Sequence, residues 1–102
     1  MGSIMERNRV ISKLRAHQAE LQAAGIVRLA LFGSVARGDS NDQSDVDLMA
    51  DFDKAKRLTL FSMSGLQLRI VDILGAPVDL TNRKMLKDQV KVRAEREAIV
   101  VF

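Results

Sequence analysis

Residues 26–48 read IVRLALFGSVARGDSNDQSDVDL, and this stretch decides the fold. Its first seven residues, 26–32, are aliphatic or aromatic except for one arginine, which predicts a buried β-strand. Gly33 and Ser34 end that strand and begin a short helical turn. After a polar loop, residues 45–52 alternate and then become apolar, which predicts a second strand. The stretch therefore predicts two strands joined by a glycine-serine turn and a surface loop.

The flanking residues predict helices and further strands around this centre. The chain begins with a predicted helix, which the capping box Ser3-Ile4-Met5-Glu6 opens and Gly25 ends, followed by the strand 26–32. A helical turn over 34–37, closed by Gly38, precedes the strand 45–52. The remaining predicted elements are a helix capped by Thr59 and stopped by Gly75-Ala76-Pro77, a strand over 77–81 and a charged helix over 83–97. The apolar residues 99–102 form either a fourth strand or a packed tail. This order, α-β-(short α)-β-α-β-α, indicates an α/β (α+β) fold, with a small mixed sheet and helices packed on it, in one domain over residues 1–102.

Composition excludes several classes of protein. The 102 residues contain no cysteine, which excludes a disulfide framework and any cysteine-based metal site, and the single histidine, His17, excludes a multi-histidine metal centre. No apolar run approaches the roughly 18 residues of a membrane span, and no leader pattern opens the chain, so we expect a cytoplasmic protein without a membrane contact. Tryptophan and tyrosine are absent, so aromatic platforms for nucleic acid are scarce and no direct nucleic-acid binding is expected.

The charges are distributed unevenly along the chain. The formal net charge is +3, yet residues 39–53 contain six aspartates and no lysine or arginine. All the basic residues thus surround one acidic segment. A function that uses both kinds of charge has to bring the acidic segment together with an anionic ligand, which the basic surface attracts.

Two aspartates of the acidic segment, Asp45 and Asp47, are candidate metal ligands. Residues two apart on a strand point to the same face, so these carboxylates can converge on one cation. Asp79 alternates with apolar neighbours on the next predicted strand and joins them if the two strands pair. Carboxylates suit Mg²⁺, which also binds substrate phosphates. An Asp-x-Asp pair by itself is also typical of an acidic strand face without function.

The Gly33-Ser34 turn makes the metal interpretation more specific. Glycine lets the backbone approach a ligand closely, and the Ser34 hydroxyl with free N–H groups can bind an anion. A phosphate-binding turn followed by a metal-binding strand fits a nucleoside triphosphate with Mg²⁺.

These residues resemble a known family. The segment Leu31-Phe32-Gly33-Ser34-Val35-Ala36-Arg37-Gly38, followed by Ser44-Asp45-Val46-Asp47-Leu48, is similar to the signature of the minimal nucleotidyltransferases of the DNA polymerase β superfamily. That signature has Gly-Ser, ten residues and Asp-x-Asp, and ten residues separate Ser34 from Asp45 here. The resemblance covers nearly the whole chain in the order of its elements.

The resemblance implies transfer of a nucleotide from ATP or another NTP with two Mg²⁺ ions. It implies that Gly33 and Ser34 hold the β- and γ-phosphates and that Asp45 and Asp47 bind both metals. Asp79 corresponds to the third carboxylate, which binds the first metal and helps it activate the acceptor hydroxyl as a base. These expectations agree with the need to neutralise charge during phosphoryl transfer.

Other residues keep two interpretations. Arg37 lies where its guanidinium can reach a phosphate, or it can pair with Asp39 or Asp42. The basic residues of the helix 83–97 can grip a triphosphate or an acidic partner, or they can form a solvated helix face. His17 is interpreted as an ordinary helix residue.

The resemblance also implies a partner. Stand-alone domains of this kind are often the antitoxin of a small helical HEPN toxin, to which they add AMP at a hydroxyl, and we expect no separate acceptor-binding domain in this chain. Two alternatives stay open, a module that neutralises a partner by contact alone and the catalytic subunit of a small-molecule, aminoglycoside-type nucleotidyltransferase. Self-association into a homo-oligomer is also open.

Overall fold

A computed structural model describes residues 6–41 and 44–102, and it contains a four-stranded sheet with helices on both faces. The helices and strands are α1 (Arg7–Ala16), α2 (Gln18–Ala23), β1 (Ile26–Phe32), α3 (Gly33–Arg37), β2 (Val46–Phe52), α4 (Leu60–Leu74), β3 (Val78–Asn82), α5 (Asp88–Glu97) and β4 (Ile99–Val100). Short 3-10 turns lie at Lys54–Lys56 and Arg83–Met85. Within the described ranges, no helix is long and apolar enough to cross a membrane.

The sheet is mixed, as the element order predicts. Its strand order is β3-β2-β1-β4, with β1 antiparallel to both β2 and β4 and with β2 parallel to β3. The parallel pair is connected through α4, because parallel neighbours need a crossover connection. This topology places the end of β1 beside the beginnings of β2 and β3.

The two faces of the sheet are covered differently. The larger core lies between one face and the helices α1, α2 and α4, and its fully buried side chains include Leu14, Leu21, Leu29, Leu31, Leu48, Ile70 and Leu74. A smaller cluster of Ala30, Met49 and Ala94 lies under α5 on the opposite face. Along β2, Leu48 therefore points into the larger core and Met49 points toward α5. By the same alternation, Asp47 lies on the α5 face.

Several predicted helix ends are confirmed. Thr59 caps α4, because its Oγ1 accepts a hydrogen bond from the Ser62 N–H at 3.2 Å. Gly75 ends that helix in the left-handed conformation. Gly38 ends α3 in the same way, and its N–H donates to the Ser34 carbonyl at 2.9 Å. Each interpretation of the chain end holds for part of it, since Ile99 and Val100 pair with β1 while Val101 and Phe102 pack on the larger core.

The first predicted helix is not continuous. The backbone of His17, with φ −111° and ψ 17°, leaves the helical region and divides the segment into α1 and α2. The His17 ring bonds the Lys13 carbonyl through Nδ1 at 2.9 Å, and the His17 carbonyl accepts from the Leu21 N–H at 3.0 Å. Leu14 and Leu21, which lie on either side of the break, are both fully buried in the core. The capping box proposed at Ser3–Glu6 falls largely outside the described residues.

The prediction of one helix over 83–97 is wrong at its beginning. Asn82 Oδ1 accepts from the Lys84 N–H at 3.1 Å and forms a 3-10 turn there, after which Leu86 and Lys87 are extended. The extended residues allow Leu86 to pack on the small cluster under α5. The α-helix begins only at Asp88.

Candidate active site

The turn between β1 and α3 depends on Gly33. Its φ of +77° lies in the left-handed region, which glycine adopts without strain. An added Cβ would also collide with Asp47 Oδ2, because the Asp47 side chain lies directly against the glycine backbone. Two independent features, the backbone conformation and the close approach of a carboxylate, thus require glycine at this position.

The sheet brings two of the predicted carboxylates together. Asp47 of β2 and Asp79 of β3 are paired residues on neighbouring parallel strands, and Phe32, at the end of β1, pairs with Asp47 from the other side. Paired residues share a face, and neighbouring strands lie about 4.8 Å apart. The strand β3 therefore lies beside β2, which is the condition for Asp79 to join Asp45 and Asp47 as a candidate metal ligand.

Asp45 immediately precedes β2 and is exposed, whereas Asp47 is half-buried. Burial raises the pKa of Asp47 above its ordinary value, and the negative charges of Asp79 and Asp45 raise it further, while the charge of Arg37 acts in the opposite direction. The site therefore carries negative charge that the neighbouring protein groups do not balance. A bound cation would relieve this repulsion.

The donor set fits Mg²⁺ in its chemistry, because hard cations prefer carboxylate oxygens. Over residues 6–41 and 44–102, however, no three acidic, histidine or cysteine side chains are gathered closely enough to form a ready-made metal cluster. Asp45, Asp47 and Asp79 would thus have to rotate their side chains toward a common ion. The backbone pairing of Asp47 with Asp79 is the fixed part of this arrangement.

Arg37 forms ion pairs with two acidic residues. Its Nε donates to Asp39 Oδ2 at 3.1 Å and its Nη1 donates to Glu97 Oε1 at 3.0 Å. The pairing with Asp39 matches one of the two interpretations of Arg37, and Asp42 falls outside the described residues. The guanidinium lies beside the Gly33 turn, so it remains within the site.

Glu97 is the residue that the sequence analysis missed. It ends α5, and its Oε2 accepts a hydrogen bond from the Gly33 N–H at 3.2 Å. The sequence does not distinguish it from Glu95 on the same helix, and only the strand register locates it. Ile99 pairs with Leu31 in an antiparallel register, and continuing that register by two residues places Glu97 opposite Gly33.

A cleft of about 200 Å³ lies between the Gly33 turn and α5. It is lined by Phe32, Gly33, Arg37, Val90, Arg93, Ala94 and Glu97. Among the basic residues of the predicted charged helix, Arg93 is thus placed at the site. The cleft can admit an anionic group between two arginines, at the edge of the carboxylate cluster.

Comparisons with known proteins agree with this geometry. A family model described as a nucleotidyltransferase domain matches residues 11–101. The protein adenylyltransferase MntA of Thermococcus cleftensis is 34% identical over 91 residues, which cover 88% of this chain and 90% of that protein. The solved structure of a candidate minimal nucleotidyltransferase is 33% identical, covers 96% of this chain and 98% of its own, and superposes with a TM-score of 0.79.

A more distant structure shares the fold. It contains a Shewanella oneidensis HEPN toxin carrying three AMP groups, in complex with an MNT antitoxin, and matches with a TM-score of 0.64 at 15% identity. The match covers 90% of this chain and 71% of that one. At this identity the likeness concerns the fold alone.

Proposed function

Since this chain belongs to the nucleotidyltransferase domain family and is a nucleotidyltransferase, we propose that it transfers AMP from ATP to a hydroxyl group of a partner protein. The observation that carries the proposal is the pairing of Asp47 with Asp79 beside the Gly33 turn. This arrangement puts an acidic pair next to backbone and arginine donors. The Thermococcus relative, a protein adenylyltransferase, supports AMP as the transferred group.

The proposed roles are those that the resemblance to the minimal nucleotidyltransferases implies for each residue. Gly33 and Ser34 hold the β- and γ-phosphates, and Asp45, Asp47 and Asp79 would hold two Mg²⁺ ions. Bound Mg²⁺ would supply charge neutralisation at the phosphates and at the acceptor oxygen. These residues orient the α-phosphorus so that the acceptor can attack in line with the leaving pyrophosphate.

Asp79 is the proposed base. The acceptor oxygen forms a bond to the α-phosphorus, the bond from that phosphorus to the bridging oxygen breaks, and pyrophosphate leaves with the electron pair. The hydroxyl proton passes to the Asp79 carboxylate. Asp79 is exposed, which leaves it accessible to an acceptor on the surface of another protein.

A helical HEPN-type toxin is the proposed acceptor. Two observations support it, the shared fold with the antitoxin of the Shewanella complex and the open site, in which Asp45 and Asp79 are exposed. The exposure of Asp79 therefore favours a protein acceptor over an aminoglycoside-type substrate.

The test uses ATP labelled at the α-phosphate, Mg²⁺ and a purified HEPN-type helical protein as the acceptor. We expect the label to appear on that protein, and mass spectrometry should find an added AMP on a hydroxyl side chain. The Asp47→Asn variant should lose both the label and the neutralisation of the partner. Neutralisation by Asp47→Asn without any label would instead establish contact as the mechanism and overturn the proposal.

A further inference from the structure

Glu97 makes two contacts that set it apart from the other acids of α5. Its Oε2 accepts from the Gly33 N–H at 3.2 Å, and its Oε1 accepts from Arg37 Nη1 at 3.0 Å. Only 17% of its side chain is exposed. The carboxylate thus bridges the glycine turn and the arginine of the proposed triphosphate site.

We propose that Glu97 is a built-in competitor of the triphosphate, so that its carboxylate must leave Gly33 and Arg37 before the β- and γ-phosphates bind. The inference rests on the proposed function, which assigns the Gly33 backbone to the nucleotide, and it extends that assignment to Arg37. It adds an affinity-determining residue that lies outside the Gly-Ser and Asp-x-Asp motifs.

The competition follows from the number of available hydrogen-bond donors. The Gly33 backbone has one N–H, and a phosphate oxygen cannot share it with Glu97 at full strength. Arg37 already donates to Asp39 and Glu97, so two carboxylates occupy its fork. Phosphate and carboxylate oxygens both accept charge-assisted hydrogen bonds from a guanidinium such as that of Arg37. Binding of one therefore excludes the other from these donors.

Electrostatics adds to the competition. Asp47 lies against Gly33, and Glu97 adds a second negative charge beside the same turn. A triphosphate arriving at this turn meets repulsion from both carboxylates. Removal of the Glu97 charge should lower that repulsion and release both donors, without altering any of the three proposed metal ligands.

Glu95 provides a matched control on the same helix. Its Oε1 accepts from Arg83 Nη1 at 3.0 Å, at the other end of β2, and its side chain is 44% exposed. Like Glu97, it pairs with one arginine. It makes no contact with the Gly33 turn in the described structure.

The experiment measures the dissociation constants of ATP and adenosine in the presence of Mg²⁺, without a partner protein, for three proteins. We expect Glu97→Gln to bind ATP about threefold to tenfold more tightly than the wild type, the range for a partly exposed charge-assisted contact. Adenosine, which lacks phosphates, should bind the wild type and Glu97→Gln with equal affinity. Glu95→Gln should match the wild type with both compounds.

Glu97→Asp provides a second measurement in case the glutamine variant folds poorly. Aspartate keeps the charge but is one methylene shorter, so it cannot span both donors, and its ATP affinity should fall between those of the wild type and Glu97→Gln. Unchanged or weaker ATP binding in both variants, with normal binding by the wild type, would overturn the role of Glu97 alone. If neither the wild type nor the variants bind ATP, the proposed triphosphate site fails together with the inference.

Discussion

Asp47 and Asp51 lie on the same strand and the same face, four residues apart, but of the two only Asp51 forms an ion pair with an arginine in the part of the chain that the structure describes. Asp51 Oδ1 accepts from Arg83 Nε at 2.9 Å, and the same arginine also binds Glu95. Asp47 faces Asp79 and the Gly33 backbone. Its neighbouring arginine, Arg37, donates to other acids and not to Asp47.

The difference separates a carboxylate that is paired within the chain from one that is proposed to bind a metal ion. The charge of Asp51 is balanced within the chain by a half-buried ion pair. That of Asp47 is not, and burial together with neighbouring acids raises its pKa. A fold that leaves one carboxylate unbalanced while pairing an equivalent one nearby keeps the first available for a cation from solution.

Replacement of each aspartate by asparagine tests this comparison, and it should give the largest effect. Asp47→Asn should lower the rate of AMP transfer by about 10³-fold or more, because the proposed metal site provides several kcal/mol of transition-state stabilisation. Asp51→Asn should keep transfer within about threefold of the wild type and lose only part of a half-buried ion pair, on the order of 1 kcal/mol. Initial rates with labelled ATP and urea unfolding measure the two quantities.

Equal losses of activity in the two variants would contradict the division of roles. Such a result would mean that the whole face of β2, and not its beginning, supports the chemistry. Circular dichroism spectra of both variants provide the control for folding.

The sequence could identify the parts of the site that depend on local patterns. Gly33, Asp45 and Asp47 lie within fifteen residues, and alternation along a strand orients the two acids. Asp79 needed one further assumption, that its strand lies next to β2, which the sheet order confirms. Their catalytic and metal-binding roles stay a prediction.

The remaining features depend on long-range contacts, for which a single sequence carries little signal. Glu97 looks like Glu95 in a charged helix, and only the register of β4 brings it to Gly33. The pairing of Arg83 with Asp51 joins residues 32 positions apart. The break at His17 interrupts a segment whose apolar spacing is that of one continuous helix, so the pattern of the sequence does not mark it.

A second prediction examines why Asp47 can lie so close to the turn. Gly33 and Gly38 both have positive φ, at +77° and +84°, but an added Cβ meets Asp47 at the first and open space at the second. Both alanine variants should lose stability from backbone strain, about 1–3 kcal/mol each. Only Gly33→Ala should also displace the carboxylate, which we expect to reduce transfer by about 10²-fold.

Transfer rates, compared at a temperature where both variants are folded, separate strain from displacement. Gly38→Ala should retain activity within about threefold of the wild type. If it lost as much activity as Gly33→Ala, the cause would be the strained loop rather than the contact with Asp47.

The smallest effect should appear in the pH dependence of stability. The raised pKa of Asp47 means that the folded chain holds this proton more tightly than the unfolded chain does. In the range from the ordinary carboxyl pKa up to the raised one, the unfolded state therefore binds fewer protons, and the free energy of unfolding falls as pH rises. Asp47→Asn has no such proton, so its stability relative to the wild type should increase across this range and then stay constant.

Urea unfolding of the wild type and Asp47→Asn between pH 3 and pH 8, in a buffer with chelator, measures this difference in the free energy of unfolding. The contributions of the other titrating groups largely cancel because both proteins contain them. With Mg²⁺ in place of chelator, the advantage of Asp47→Asn should shrink or reverse, since an ion bound only by the folded wild type stabilises it. An advantage that Mg²⁺ leaves unchanged would mean that the unbalanced charge of Asp47 is not matched to a cation.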